Sequence, residues 1–136
     1  NSSRRIFLIT GDGELAEGSN WEAALAAAHY GLDNLVIIND KNNLQLAGPT
    51  REIMNTDPLA DKWKAFGMTV TECQGNDMAS VVATLEGLKQ EGKPNVIIAN
   101  TTKGAGISFI QGRPEWHHRV PKGEEITLAL EELKDE

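Results

Sequence analysis

Four short apolar runs, separated by helix-forming stretches, constrain the fold of this chain more than any other feature. The runs lie at residues 6–9, 35–38, 68–70 and 96–99. Their near-continuous hydrophobicity is typical of parallel strands that helices cover on both faces. Helical patterns lie at residues 22–30, 58–66, 77–91 and 124–133. This order predicts an α/β fold in which a parallel sheet is sandwiched by helices.

Capping residues mark the expected ends of two helices. Ser19 or Asn20 is expected to cap the start of the helix at 22–30, and Gly31 is expected to end it. Gly92 follows the helix at 77–91 and is expected to end that one.

Charge and cysteine content exclude several classes of protein. Thirteen Lys and Arg against twenty Asp and Glu give a net charge of −7, which argues against a nucleic-acid surface across the whole fold. No apolar run approaches the ~20 residues that a membrane helix needs. Cys73 is the only cysteine, so no intrachain disulfide forms and a reduced, cytoplasmic setting is expected. We therefore expect no nucleic-acid partner and no membrane association.

Two long predicted loops, residues 39–55 and 102–123, directly follow predicted strands. Loops of this length within a compact domain are usually functional or mobile. Ligands of open α/β sheets bind beyond the carboxyl ends of the strands. These loops are therefore the expected position of a ligand site.

Polar residues that could bind a cation follow each of the first two predicted strands. Gly11-Asp12-Gly13 ends the first strand, and Asn42 comes thirty residues after Asp12. If the strands are adjacent and parallel, Asp12, Asn42 and a carbonyl of residues 42–44 could share a hard cation such as Mg²⁺, which often also binds phosphates. The alternatives are an ordinary Gly-Asp-Gly turn with a solvated carboxylate and an Asn-rich turn.

The segments around these residues resemble transketolase, a thiamine diphosphate-dependent enzyme family. The similar segments are residues 11–18, 21–24, 42–48, 62–67 and 103–109, in that order. Trp116-His117 fits the two-subunit form, in which the chain is split between its two cofactor-binding domains. The resemblance covers nearly the whole chain and implies the thiamine diphosphate-binding fold.

The resemblance assigns cofactor roles to five positions. It implies that Asp12 and Asn42 bind Mg²⁺ or Ca²⁺ through their side chains and that Leu44 binds it through its carbonyl. It also places Gly11 and Gly13 at the diphosphate of thiamine diphosphate. These residues are the expected cofactor and metal site.

The resemblance assigns catalytic roles to two further residues. Glu17 matches a carboxylate at the active-site dimer contact, and His117 matches a histidine that helps bind substrate and move protons. Without the resemblance, Glu17 could simply complement a helix dipole, and His117 could be a solvated loop residue. Arginine and lysine residues in the second loop are candidates for binding a substrate phosphate: Arg113, Arg119 and Lys122.

The resemblance also implies what the chain lacks. Residues 1–136 are expected to form a single diphosphate-binding domain without the family's N-terminal strands, and so an incomplete copy of the fold. Activity is expected to need a pyrimidine-binding transketolase subunit or domain in a homo- or hetero-oligomer. The implied reaction transfers a two-carbon ketol unit between sugar phosphates. The chain alone is expected to be inactive.

The chain departs from the family pattern at three positions, and other functions remain open. Asn76 stands where His is common, Ala105 where Lys is frequent, and His118 where Gly is common. The alternatives that keep the cofactor are a 1-deoxyxylulose-5-phosphate synthase and a 2-oxo-acid dehydrogenase. A catalytically silent assembly module is a further alternative. A nicotinamide-binding domain is less favoured, because Ala16 takes the place of the third glycine and no acidic residue closes a second strand at the expected distance.

Overall fold

The computed structural model describes residues 4–134. The elements in chain order are β1 (Ile6–Gly11), α1 (Gly18–His29), β2 (Leu35–Lys41), β3 (Leu44–Gln45), β4 (Gly48–Pro49), α2 (Thr50–Ile53), α3 (Leu59–Ala65), β5 (Thr69–Gln74), α4 (Met78–Glu86), β6 (Asn95–Asn100) and α5 (Glu124–Glu132). Short 3₁₀ helices lie at Glu14–Ala16 and Pro114–His117.

Four strands form one parallel sheet in the order β1-β2-β6-β5. Every residue from Asn95 to Ala99 in β6 is buried, because β6 lies inside the sheet and both of its faces are covered. One core cluster packs α1 and α3 against the sheet, and the second core cluster packs α4 against the opposite face. The predicted α/β fold, with a parallel sheet between helices, is thus confirmed.

The two core clusters differ in size and composition. On the α1 and α3 face, Trp63 is 1% exposed and its ring centroid lies 4.8 Å from that of Trp21. The smaller cluster, beneath α4, is formed by Val36, Cys73, Ile97 and Ala99. Burial raises the pKa of the Cys73 thiol, so this cysteine behaves as a small apolar core residue.

Two predicted helix boundaries were wrong. α1 begins at Gly18 with Glu17 at its N-cap, so neither Ser19 nor Asn20 is the cap. The helix starts early because a 3₁₀ turn, closed by Glu17 N donating to Glu14 O at 3.0 Å, leads straight into it. α4 ends at Glu86, well before the predicted residue 91, because Gly87 follows and glycine disfavours helix.

Strand β5 and the first predicted loop also differ from expectation. β5 pairs with β6 from Thr69 to Gln74, although its apolar run covers only residues 68–70. As an edge strand it carries exposed polar side chains that an apolar pattern does not reveal. The stretch at 39–55 is not a bare loop, because it contains the β3–β4 hairpin and α2. No helix within residues 4–134 is long and apolar enough to cross a bilayer.

Strand β1 is the other edge of the sheet, and it is strongly apolar. Ile6, Phe7, Leu8 and Ile9 are 45–69% exposed. Within residues 4–134 only β2 pairs with β1, so its outer edge has no strand beside it. An apolar, unpaired edge strand is a site where another strand or helix would pack.

Candidate functional site

The carboxyl ends of the parallel strands lie side by side and open into one cavity. Gly11 pairs with Asp40, and Lys41 pairs with Asn100, at this edge of the sheet. The cavity beyond them has a volume of about 420 Å³. It is lined by Gly11, Asp12, Gly13, Glu14, Glu17, Asp40, Asn42, Leu44, Gln45, Leu46, Lys103 and His117. All seven residues that the sequence assigns to cofactor, metal or catalytic roles therefore line the same cavity.

Asp12 is a buried carboxylate at the base of the cavity, 3% exposed. Its Oδ2 accepts hydrogen bonds from Asn42 N at 2.8 Å and from Asn43 N at 2.7 Å. Burial raises the pKa of Asp12, and the two backbone donors oppose that change. Within residues 4–134 no hydrogen bond engages Oδ1, so this oxygen is left for a ligand.

The turn after β2 places Asn42 and Leu44 in the lining of the same cavity as Asp12. Asn43 has a φ of 61°, which bends the backbone sharply between Asn42 and Leu44. Asn42 Oδ1 accepts a hydrogen bond from Leu44 N at 3.0 Å, which fixes the amide orientation. Carboxylate, amide and carbonyl oxygens are the ligands that Mg²⁺ and Ca²⁺ prefer. The residues present therefore fit a hard cation.

Within the described residues, no group of three or more His, Cys, Asp or Glu side chains is placed to hold a metal ion. A cation at this cavity would therefore depend on amide and backbone oxygens beside the Asp12 carboxylate. That donor set suits a hard cation and disfavours zinc, which prefers nitrogen and sulfur ligands.

Contacts with Glu14, with the β3–β4 hairpin and with α1 hold the glycine turn after β1 in place. Gly11 N donates to Glu14 Oε2 at 2.8 Å, which closes the turn that carries Asp12. A Cβ on Gly13 would lie 3.4 Å from Gln45 Cβ, so the hairpin packs directly on this position. Trp21 Nε1 donates to Leu15 O at 2.9 Å and ties the end of the turn to α1.

The charge of the cavity wall is predominantly negative. Four carboxylates line the cavity, at Asp12, Glu14, Glu17 and Asp40, against the single ammonium group of Lys103. An anionic ligand alone would meet repulsion here. A ligand that brings a divalent cation with it would meet less repulsion, because the cation offsets part of the negative charge.

His117 reaches the cavity from the second long loop. Lys103 Nζ lies 3.3 Å from His117 Nδ1, and the ring centroid of His118 lies 4.5 Å from that of His117. The pKa of His117 is held below its usual value. The largest cause is the partial loss of solvent around the ring, and the positive charges of Lys103 and His118 add to it. The neutral imidazole is therefore favoured near neutral pH.

The loop of residues 102–113, which we name the cavity loop, is held at several points. Gly112 N donates to Lys103 O at 2.8 Å, which closes the loop on itself. Gly104 has a φ of 67°, and a Cβ there would lie 2.5 Å from Ile110 Cγ2. Glu132 of α5 accepts hydrogen bonds from Ser108 N and, at 2.7 Å, from Ser108 Oγ.

The Ser108 contacts predict a pH-dependent stability. They hold the pKa of Glu132 below its usual value of 4.5. When folding lowers the pKa of a carboxylate, the ionised group stabilises the fold at every pH above the pKa of the unfolded state. This stabilisation is lost as the pH falls through the lower pKa of the folded state. We therefore expect Glu132→Gln to be less stable than the parent near neutral pH and to match it in acid.

Urea unfolding across a pH series measures this difference. Glu131→Gln is the matched control, because Glu131 is exposed beside Glu132 and no side-chain hydrogen bond or ion pair engages it within residues 4–134. A free-energy difference between Glu132→Gln and the parent that stays constant at every pH would show that the carboxylate does not anchor the cavity loop.

Three basic residues expected at a substrate phosphate do not line the cavity: Arg113, Arg119 and Lys122. Arg119 instead pairs with Glu125, and its guanidinium carbon lies 4.1 Å from the centroid of the Trp116 ring. Sequence reasoning also left out four lining residues: Glu14, Asp40, Gln45 and Leu46. Their positions beside the Gly-Asp-Gly turn and beside Asn42 are the signal that could have identified them.

Comparisons with known proteins show the family to which the chain belongs. Residues 2–134 match the model of the family described as transketolase, thiamine diphosphate binding domain. An apulose-4-phosphate transketolase subunit of Actinobacillus succinogenes is 73% identical over 135 residues, covering 99% of this chain and 49% of the relative. A 6-deoxy-6-sulfo-D-fructose transketolase subunit of a Clostridium species is 41% identical, covering 96% of this chain and 48% of the relative.

A solved structure shares the fold. The transketolase of Campylobacter jejuni superimposes with a TM-score of 0.88 at 32% identity, covering 97% of this chain and 21% of that protein. The chain spans about half the length of the curated relatives that it matches. The chain therefore belongs to the transketolase family and corresponds to its thiamine diphosphate-binding domain.

Proposed function

We propose that this chain supplies the diphosphate- and metal-binding half of a thiamine diphosphate-dependent transketolase site. One observation carries the proposal: seven residues from three separate segments of the chain line a single cavity at the carboxyl edge of the sheet. The relative at 73% identity is named as one subunit of a transketolase, which supports the same conclusion.

Asp12, Asn42 and Leu44 would hold Mg²⁺ or Ca²⁺. The support is the free Oδ1 of a buried carboxylate, placed where the Asn42–Leu44 turn comes back against it. The acidic wall supports a metal as well, because a diphosphate needs its charge neutralised before it can enter. Gly11 and Gly13 let the backbone approach the diphosphate closely.

The remaining lining residues have separate roles. When bound, thiamine diphosphate supplies the carbon–carbon bond chemistry, and the protein supplies orientation and electrostatics. Lys103 adds positive charge beside the diphosphate. The neutral imidazole of His117 would donate a hydrogen bond to a substrate oxygen. Glu17, an exposed residue that lines the cavity, would contact a partner subunit.

The reaction we propose is transfer of a two-carbon ketol unit between sugar phosphates, in an oligomer with a pyrimidine-binding subunit. The names of relatives support a split transketolase acting on sugar-type substrates. The exposed, apolar β1 supports the view that residues 1–136 form one incomplete domain. Further strands of the domain would pair with its free edge, so the chain alone would be inactive.

A domain replacement tests this function. This chain replaces the matching half of the Actinobacillus succinogenes protein, which is assayed with its companion subunit, thiamine diphosphate and Mg²⁺. We expect ketol transfer from a ketose phosphate to an aldose phosphate without any 2-oxo acid. Turnover that requires pyruvate or another 2-oxo acid would contradict the proposal, and cofactor binding without turnover would favour a silent assembly module.

A further inference from the structure

The contact between Lys103 and His117 determines which nitrogen of the imidazole carries the proton. Lys103 Nζ lies 3.3 Å from His117 Nδ1, and both side chains line the cavity. An ammonium group has three hydrogens to donate and no lone pair to accept with. Only an unprotonated ring nitrogen can therefore pair with it. This contact requires that Nδ1 carries no proton.

We propose that Lys103 is a positioning residue that holds His117 in the neutral form with its proton on Nε2. Nδ1 is then blocked as a base, and Nε2–H remains as the only donor of the ring. A ligand that pairs with this ring must offer an acceptor oxygen, such as a carbonyl, hydroxyl or phosphate oxygen. This assignment does not depend on which ligand fills the cavity.

The backbone around Lys103 is built to hold this side chain in place. Thr102 N, one residue before it, donates to Asn76 Oδ1 at 2.6 Å. Gly112 N donates to the carbonyl of Lys103 itself at 2.8 Å. Lys103 is half-buried, whereas His117 is exposed. Asn76 lies in the turn between β5 and α4, outside the cavity, and acts as a second positioning residue.

Among the described charged groups near His117, Lys103 is the one that contacts a nitrogen of its ring. His118 lies edge-on to His117, with the two ring centroids 4.5 Å apart. Arg119, two residues away, is paired with Glu125 and lies over the Trp116 ring. The cavity carboxylates do not bond to His117 within residues 4–134.

Imidazole ¹⁵N spectra of the full chain near neutral pH test the assignment without any ligand. The parent is expected to show His117 Nδ1 fully unprotonated. Exposed His29 is the internal reference for a ring that averages both neutral forms, because no hydrogen bond or ion pair engages its ring within residues 4–134 and its only aromatic contact there is with Tyr30. Lys103→Met is expected to shift His117 towards that averaged value, and Lys103→Arg is expected to preserve the parent signal. Lys93→Met removes an exposed lysine elsewhere and is the matched control.

Variants at Asn76 test the support of Lys103 without altering the pair itself. Asn76→Ala is expected to shift His117 partly in the same direction as Lys103→Met. Asn76→Asp keeps an acceptor oxygen and is expected to restore the parent signal. The backbone amide spectrum shows whether each variant is folded. If Lys103→Met does not fold, the Asn76 variants still test whether Lys103 controls the position of the His117 proton. A protonated Nδ1 in the parent, or an unchanged His117 signal in the folded variants, would overturn the assignment.

Discussion

Replacing Asp12 by asparagine is expected to lower Mg²⁺-dependent affinity for thiamine diphosphate by about 100-fold or more. Changes to residues that merely support metal ligands already cost about 10–100-fold in affinity. Asp12 is the buried carboxylate that would contact the metal itself, and its Oδ1 has no other hydrogen bond within residues 4–134. Equilibrium dialysis of the cofactor, with and without Mg²⁺, measures the loss.

Asparagine is the better substitution at this position, because Asp12 also supports the turn after β2. Alanine would leave Asn42 N and Asn43 N without their acceptor, at a cost of about 1–3 kcal/mol for each buried group. Asp12→Asn retains an oxygen that can accept these bonds while it removes the charge. Asp77→Asn is the matched control, because Asp77 caps α4 and does not line the cavity. Metal-dependent binding that survives in Asp12→Asn would contradict the assignment.

Replacing Trp63 by alanine is expected to lower the free energy of unfolding by about 3–5 kcal/mol, the usual cost of deleting a buried aromatic ring. Trp63 is 1% exposed and is the largest fully buried side chain within residues 4–134. It packs beneath Trp21, whose indole nitrogen holds Leu15 O at the end of the glycine turn. Urea unfolding of the variant and the parent measures the difference.

Trp63→Phe separates packing from hydrogen bonding at this position. The Trp63 indole nitrogen is buried without a hydrogen-bond partner within the described residues. Phenylalanine removes that unpaired donor and keeps much of the aromatic volume, so its loss of stability is expected to be under half that of alanine. Equal losses for both variants would indicate that the indole nitrogen forms a bond that the structure does not contain.

The sheet and the core of the site follow from the sequence for a physical reason. Apolar runs predict buried parallel strands, and the carboxyl ends of adjacent parallel strands must meet at one edge. Asp12 and Asn42 follow two such strands, and the structure joins them through a hydrogen bond of 2.8 Å between Asn42 N and Asp12 Oδ2. Family resemblance then adds Glu17 and His117, which reach the same cavity.

What the sequence does not predict depends on contacts between distant segments. Exposed edge strand β5 has no apolar pattern along most of its length, so its pairing with β6 sets its extent. The bond from Ser108 to Glu132 joins residues that are 24 positions apart and carry no motif. The approach of Lys103 to His117 depends on how the cavity loop folds back, which no local pattern determines.

The central claim is that this cavity recognises a diphosphate together with a metal. Calorimetric titration with thiamine diphosphate, inorganic diphosphate and thiamine, each with and without Mg²⁺, tests it most directly. The titrations use this chain alone and this chain mixed with a pyrimidine-binding subunit. We predict that both diphosphates bind only with Mg²⁺ and that thiamine does not bind to the chain alone. Binding that ignores Mg²⁺, or no binding of either diphosphate in both preparations, would contradict the claim.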